Sequence, residues 1–150
     1  MILLVFSKGG VIMEHRIEPG LVRDYRKITG PSDGTDLPGS LELSYLVSTP
    51  AVVNMVIEAS TEMLDDLLPS DYTTVGTHIE LSHENPTLVG EPINIRLKVS
   101  EVEHNKVYID IEGFDSQGRF LKGKYERHIV NKSRLMQYAY GRFPDSISGY

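Results

Sequence analysis

Apolar and polar residues alternate along four stretches in the second half of the chain. Val75, Thr77, Ile79, Leu81 and His83 share one parity; Gly76, His78, Glu80 and Ser82 take the other. Ile93, Ile95, Leu97 and Val99 alternate with Asn94, Arg96 and Lys98, and Val107, Ile109 and Ile111 alternate with Tyr108, Asp110 and Glu112. Phe120 to Val130 reads as a last strand, entered through Asp115-Ser116-Gln117-Gly118, a hairpin turn by composition. A period of two gives each strand one apolar and one polar face. That is the mark of an antiparallel sheet covered on one side.

One segment has the helical period instead. From Thr49 to Leu68, the residues Val52, Val53, Val56, Ile57, Met63, Leu64, Leu67 and Leu68 recur at helical spacing. Thr49 suits the N-cap, Pro50 the first helical position, and Pro69 ends the run. The apolar face is wide, so the helix should be largely wrapped by other structure. One long helix over a one-sided antiparallel sheet makes a two-layer α+β domain. Upstream, Leu21 to Ile28 reads as a short strand, 30–39 as a loop, and Leu41 to Val47 as either a strand or a helical turn. A short helix is expected around Ser133 to Tyr140.

Residues 1–12 are open to two readings. Lys8-Gly9-Gly10-Val11 is a peptide that a bacterial ribosome-binding sequence encodes, and Met13 follows at a suitable distance, so the segment reads as a translated leader. Its strand-like composition reads equally as a short extra strand. Residues 13–150 form a single domain on either reading.

Composition narrows the chemistry. The chain has 150 residues, 40% hydrophobic and 24% charged, which is the balance of a folded globular domain. It contains no cysteine, so disulfides, thiolate metal sites and cysteine nucleophiles are excluded. A net charge of -6 argues against general nucleic-acid binding. No apolar run approaches the roughly 20 residues of a membrane helix. Phosphate-binding loops, nucleophile elbows and HExxH are all missing. His78 and His83 fall on opposite strand faces, so no metal site and no cofactor is expected.

His83 shares its parity with Ile79 and Leu81 and points toward the covered face, whereas His78 points outward. A lone histidine there is either a satisfied core residue or an acid–base group. Glu58 belongs to a polar stripe with Asn54, Thr61, Glu62 and Asp65, which periodicity favours as a solvated helix face; the sharper reading is a carboxylate held for chemistry. The helix start offers free backbone N–H groups suited to an oxyanion. Arg127 lies on the less polar parity of the last strand with Tyr125 and Gly123, and a charge there needs a partner. Gly123 on that face permits a close backbone approach.

Together these residues carry a resemblance. Val75-Gly76-Thr77, a histidine six residues after that threonine (His83), then Pro86-Thr87 and Gly90 resemble the signature of fluoroacetyl-CoA-thioesterase-like hotdog proteins. Ser48-Thr49-Pro50-Ala51, Glu58-Ala59, Val102-Glu103, the Asp115–Gly118 hairpin and Tyr125-Glu126-Arg127 follow in the same order, so the likeness spans residues 15 to 132. It implies a hotdog fold, an antiparallel sheet wrapped around one long central helix. It also implies a cytoplasmic homodimer or higher homo-oligomer that hydrolyses a small acyl-CoA thioester at sites shared between subunits. Thr49, Glu58 and His83 take the catalytic positions. The resemblance has Glu58 as nucleophile or as base for water, and His83 assisting proton transfer. Ser48, Gly76 and Arg127 are expected at the substrate, with Ser48 or Thr49 supplying the hydroxyl. Coenzyme A is then a product, and Lys122, Lys124 and Arg134 are candidates for its phosphates. Two departures stand out: Thr49 and Glu58 are nine apart, one more than the family spacing, and Tyr125 replaces a histidine. The alternative reading is a non-catalytic acyl-CoA or small-ligand binding module on the same fold.

Overall fold

The computed structural model describes residues 3–7, 10–36 and 41–145, with side chains from His15 onward. Residues 37–39 of the expected loop lie outside them. Strands β1 (Leu3–Ser7) and β2 (Gly10–His15) pair antiparallel as a two-stranded sheet. The main sheet has five strands: β3 (Val22–Ile28), β4 (Tyr72–His83), β5 (Pro92–Glu103), β6 (Lys106–Asp115) and β7 (Gly118–Asn131). Their order is β3-β5-β6-β7-β4, and every neighbouring pair is antiparallel. Helix α1 (Thr49–Leu64) contacts β3, β5 and β4. Helix α2 (Lys132–Arg142) follows β7, with Asn131 capping it. The stretch between strand and helix readings, Leu41–Tyr45, is a 3-10 turn.

The alternation found in the sequence builds the core. Ile93, Ile95, Leu97 and Val99 of β5 and Val107, Ile109 and Ile111 of β6 are buried. Val52, Met55, Val56, Ala59, Met63 and Leu64 of α1 are buried with them. Each large aliphatic side chain buried in full stabilises by roughly 1.5–3 kcal/mol, against about 1 kcal/mol for a capping bond. Packing against the sheet therefore holds α1 in place, and the cap adjusts its first turn.

Three expectations change at the level of single residues. The N-cap is Ser48, not Thr49: the Ser48 Oγ accepts from the Ala51 N–H at 3.1 Å, and Thr49 is already helical. Either hydroxyl suits a cap by type, and the helix begins one residue earlier than read. The α-helix stops at Leu64, and Asp65–Leu67 tightens into a 3-10 turn where the Asp65 carboxylate accepts from the Thr73 and Thr74 hydroxyls. Strand β4 does not keep one parity. Its pairing passes from Gly76↔Arg127 to His78↔Glu126, so Thr77 is an extra, bulged residue. Thr74 is consequently buried, Val75 and Thr77 are not, and Ile79, Leu81 and His83 stay on the helix side.

Gly123 marks a close contact between β7 and β4. A Cβ there would lie 2.2 Å from the Glu80 carbonyl oxygen, which is backbone and cannot yield. Gly123→Ala is expected to destabilise by about 1–3 kcal/mol in urea unfolding. Gly141→Ala, in α2 with nothing within 4 Å, should be neutral or slightly stabilising.

Two histidines sit in the packed layer with a buried Nε2 that has no partner among the described residues, His15 and His83. Burial pushes both below the ordinary histidine value of 6.5. Below that value the unfolded chain binds more protons than the folded one, so their contribution is present above it and is lost as pH falls. Melting temperature should therefore drop from pH 6.5 downward, and the paired variant His15→Gln/His83→Gln should show a flatter dependence.

Candidate active site

The start of α1 is fixed by two buried polar anchors. Thr87 Oγ1 donates to Asp115 Oδ2 at 2.7 Å, and its carbonyl accepts from the Val47 N–H at 2.9 Å. Asp33, 6% exposed, accepts from Lys27 Nζ and the Gly30 N–H on its carboxylate, while its carbonyl takes the Ser48 N–H at 2.8 Å. The residue pair that leads into the helix is thus gripped from both sides. With Ser48 spent on the cap, the hydroxyl of Thr49 is free to turn to β4, where Thr49 Oγ1 and His83 Nδ1 are 2.8 Å apart.

His83 occupies the last position of β4, with its ring edge-on to that of buried Phe120 at 5.9 Å. Glu84 is held by its N–H to the Phe120 carbonyl and by a two-point contact with Arg119, which fixes the strand end. Burial holds His83 below its ordinary pKa, so it is neutral at pH 7 and its Nδ1 can accept the Thr49 proton. Thr49 is the exposed member of the pair. Among the described helix-start donors, Ala51 N–H goes to Ser48 Oγ and Val52 N–H to Ser48 O, and Pro50 has none. The expected set of oxyanion donors reduces to the Thr49 N–H.

Glu58 lies elsewhere. Its Oε2 accepts from Tyr25 Oη on β3 at 3.1 Å. One turn on, Glu62 pairs with Arg23 at 2.6 Å. The polar stripe is exposed at Asn54, Glu58 and Glu62, as expected, and it is also bonded: Glu58 and Glu62 reach β3, Thr61 accepts from Arg127 and Asp65 holds Thr73 and Thr74. Nine residues of helix separate Thr49 from Glu58 by about 13 Å of rise and roughly half a turn. Their contacts go to opposite edges of the sheet, β4 and β3. The structure brings Thr49 and His83 together and leaves Glu58 apart from them.

The other expected site residues are spread around this arrangement. Arg127 is 4% exposed and donates to Thr74 Oγ1, the Thr74 carbonyl, Tyr125 Oη and Thr61 Oγ1. Its guanidinium also stands 5.4 Å from the centre of the Tyr125 ring. Gly76 makes room for Tyr125, whose hydroxyl would be 2.2 Å from a Cβ there. Lys122 and Lys124 stand in register with Glu112 and Asp110 on the outer face, and Arg134 is exposed on α2. His78 is exposed and meets Glu80 at 2.9 Å. Among the described residues no group of three His, Asp or Glu could hold a metal ion. Sequence reading missed Tyr25, Asp33 and Thr87. Only Thr87 carried a signal, as part of the Pro86-Thr87 motif.

Comparison with known proteins follows the same lines. Residues 38–133 match the family model described as fluoroacetyl-CoA-specific thioesterase, FlK. Curated protein sequences give no match. A hot-dog-like protein from Thermanaerovibrio acidaminovorans has a TM-score of 0.77 and 27% identity, covering 83% of this chain and 92% of its own. A thioesterase superfamily member from Thermus thermophilus has a TM-score of 0.77 at 17% identity, over 90% of this chain and 98% of its own. The fluoroacetyl-CoA thioesterase FlK has 0.76 at 16% identity, over 86% and 99%. The sheet wrapped on one helix is therefore a hotdog fold, and with the family model covering most of its length the chain belongs to the fluoroacetyl-CoA-specific thioesterase family.

Proposed function

We propose that this chain hydrolyses a small acyl-CoA thioester at a site completed by a second copy of itself. Thioester hydrolysis is the chemistry of its family. The observation that carries the shared site is the separation of Glu58 from the Thr49–His83 pair within one chain. Three groups of one reaction cannot act across two edges of a five-stranded sheet. Support for pairing comes from β4, a 12-residue strand on the sheet edge, and from the exposed apolar side chains Ile57 and Ile79. A long edge of unpaired backbone groups is a template for another strand. FlK structures hold acetyl-CoA, or fluoroacetate and CoA, which supports an acyl-CoA substrate here. A cytoplasmic location is part of this reading, since it is where such a substrate would be met. No helix among the described residues is long and apolar enough to cross a membrane.

In this reading Glu58 of one copy takes a proton from water while the water oxygen adds to the thioester carbonyl carbon. The Thr49 N–H of the other copy faces the oxyanion. As the C–S bond breaks, the proton taken up by Glu58 passes to the thiolate through the Thr49 hydroxyl, which His83 Nδ1 orients and whose proton it can accept in transit. Free acid and CoA thiol leave. Arg127 and Gly76 support the site from beneath, and Ser48 supports it by capping α1. The binding-module alternative keeps the same arrangement of residues without turnover.

Thiol release from a panel of short, branched and aryl acyl-CoAs tests the reading. Glu58→Gln should abolish turnover while the protein stays folded, and His83→Ala should cost about 10²-fold or more. His78→Ala should match the parent. Sedimentation should show a dimer at micromolar concentration. Mixing the Glu58→Gln and His83→Ala proteins should restore about a quarter of parental activity, because half of the dimers then carry one intact site. No recovery on mixing would place all three groups in one subunit, and no turnover by the parent would favour the binding module.

A further inference from the structure

The helix-facing side of β3 is polar where the other strands are apolar. Arg23, Tyr25 and Lys27 occupy alternate positions and reach Glu62, Glu58 and Asp33. Two of these contacts are ion pairs. The middle one is a phenol donating to a carboxylate, and it falls on the residue assigned the reaction. Tyr25 packs its ring against the core, which fixes where its hydroxyl stands. Only Oε2 of Glu58 is bonded; Oε1 has no protein partner among the described residues. A lysine or arginine in place of the phenol would form an ion pair and neutralise the carboxylate, as Arg23 does for Glu62. A phenol orients it without bringing a charge of its own.

We infer that Tyr25 is a positioning residue for Glu58, holding one carboxylate oxygen so that the other is aimed at the reacting water. The inference rests on the reading of Glu58 as the reacting carboxylate. Tyr25 keeps its proton across the working range: burial first, then the bond to Glu58, and then the charges of Glu58, Glu62 and Asp33 push its pKa up to about 12. The hydroxyl is thus a constant donor to Glu58 Oε2.

The test is the split between kcat and KM for Tyr25→Phe, using whichever acyl-CoA the parent turns over fastest. The ring and its packing are kept and only the donor is lost. kcat should fall about 10-fold with KM unchanged, as for a contact that acts only in the transition state. Arg23→Met, which breaks the neighbouring clamp of β3 on α1, should leave kcat near the parent's. A Tyr25→Phe protein with parental kcat, with Glu58→Gln inactive, overturns the role of Tyr25 alone. An equal loss of kcat in Arg23→Met also overturns it, since the effect would then be general clamping of the edge strand. A Glu58→Gln protein of full activity overturns the underlying reading of the carboxylate.

Discussion

The seating of helix α1 on the sheet is the constraint from which the rest follows. Its buried stripe is driven onto β5 and its neighbours by the hydrophobic effect, which fixes the helix axis but says little about its rotation or its starting point to within one residue. Those are set by polar contacts at the entry, where Thr87 and Asp33 grip Val47 and Ser48. Because Ser48 takes the cap, Thr49 is released toward His83. A capping bond of about 1 kcal/mol thus decides which hydroxyl is available, although it contributes little to the stability of the fold.

The exit of the helix is organised differently. Arg127 is a buried cation with no carboxylate bonded directly to it among the described residues. Its four hydrogen bonds join α1, β4 and β7, and Asp65 accepts from Thr74, one of its partners. Burying a charge costs several kcal/mol unless its donors are satisfied, and here every nitrogen has an acceptor. The sequence pattern correctly demanded a partner for this charge. It had no means of showing that the partners are two threonines and a tyrosine spread over 66 positions of chain.

Much of the architecture was legible because it rests on local periodicity: the alternating strands, the long helix and the hairpin at Asp115 to Gly118. The inward and outward assignment of His83 and His78 was legible for the same reason. Legibility ended where long-range hydrogen bonds decide. Glu58 is exposed, as the stripe implies, but helix periodicity shows only which residues share a stripe, and its partner Tyr25 lies 33 positions earlier with no motif to connect them. The nine-residue spacing of Thr49 and Glu58 was read as a blemish in the family pattern. In the fold it becomes a separation of half a turn and more than two turns of rise, which no local adjustment of Ser48 or Thr49 closes.

The bulge at Thr77 has a consequence for how β4 meets any neighbour. Before it, even-numbered residues such as Thr74 and Gly76 face the helix; after it, the odd-numbered Ile79, Leu81 and His83 do. The strand is thus written in two phases, joined by one surplus residue. Smoothing the bulge while sliding either half by one position would drive Glu80 beneath the helix and expel His83, or turn Thr74 away from Arg127. Each error is costly on its own, so the edge strand is locked in register from within, before a second chain lies against it.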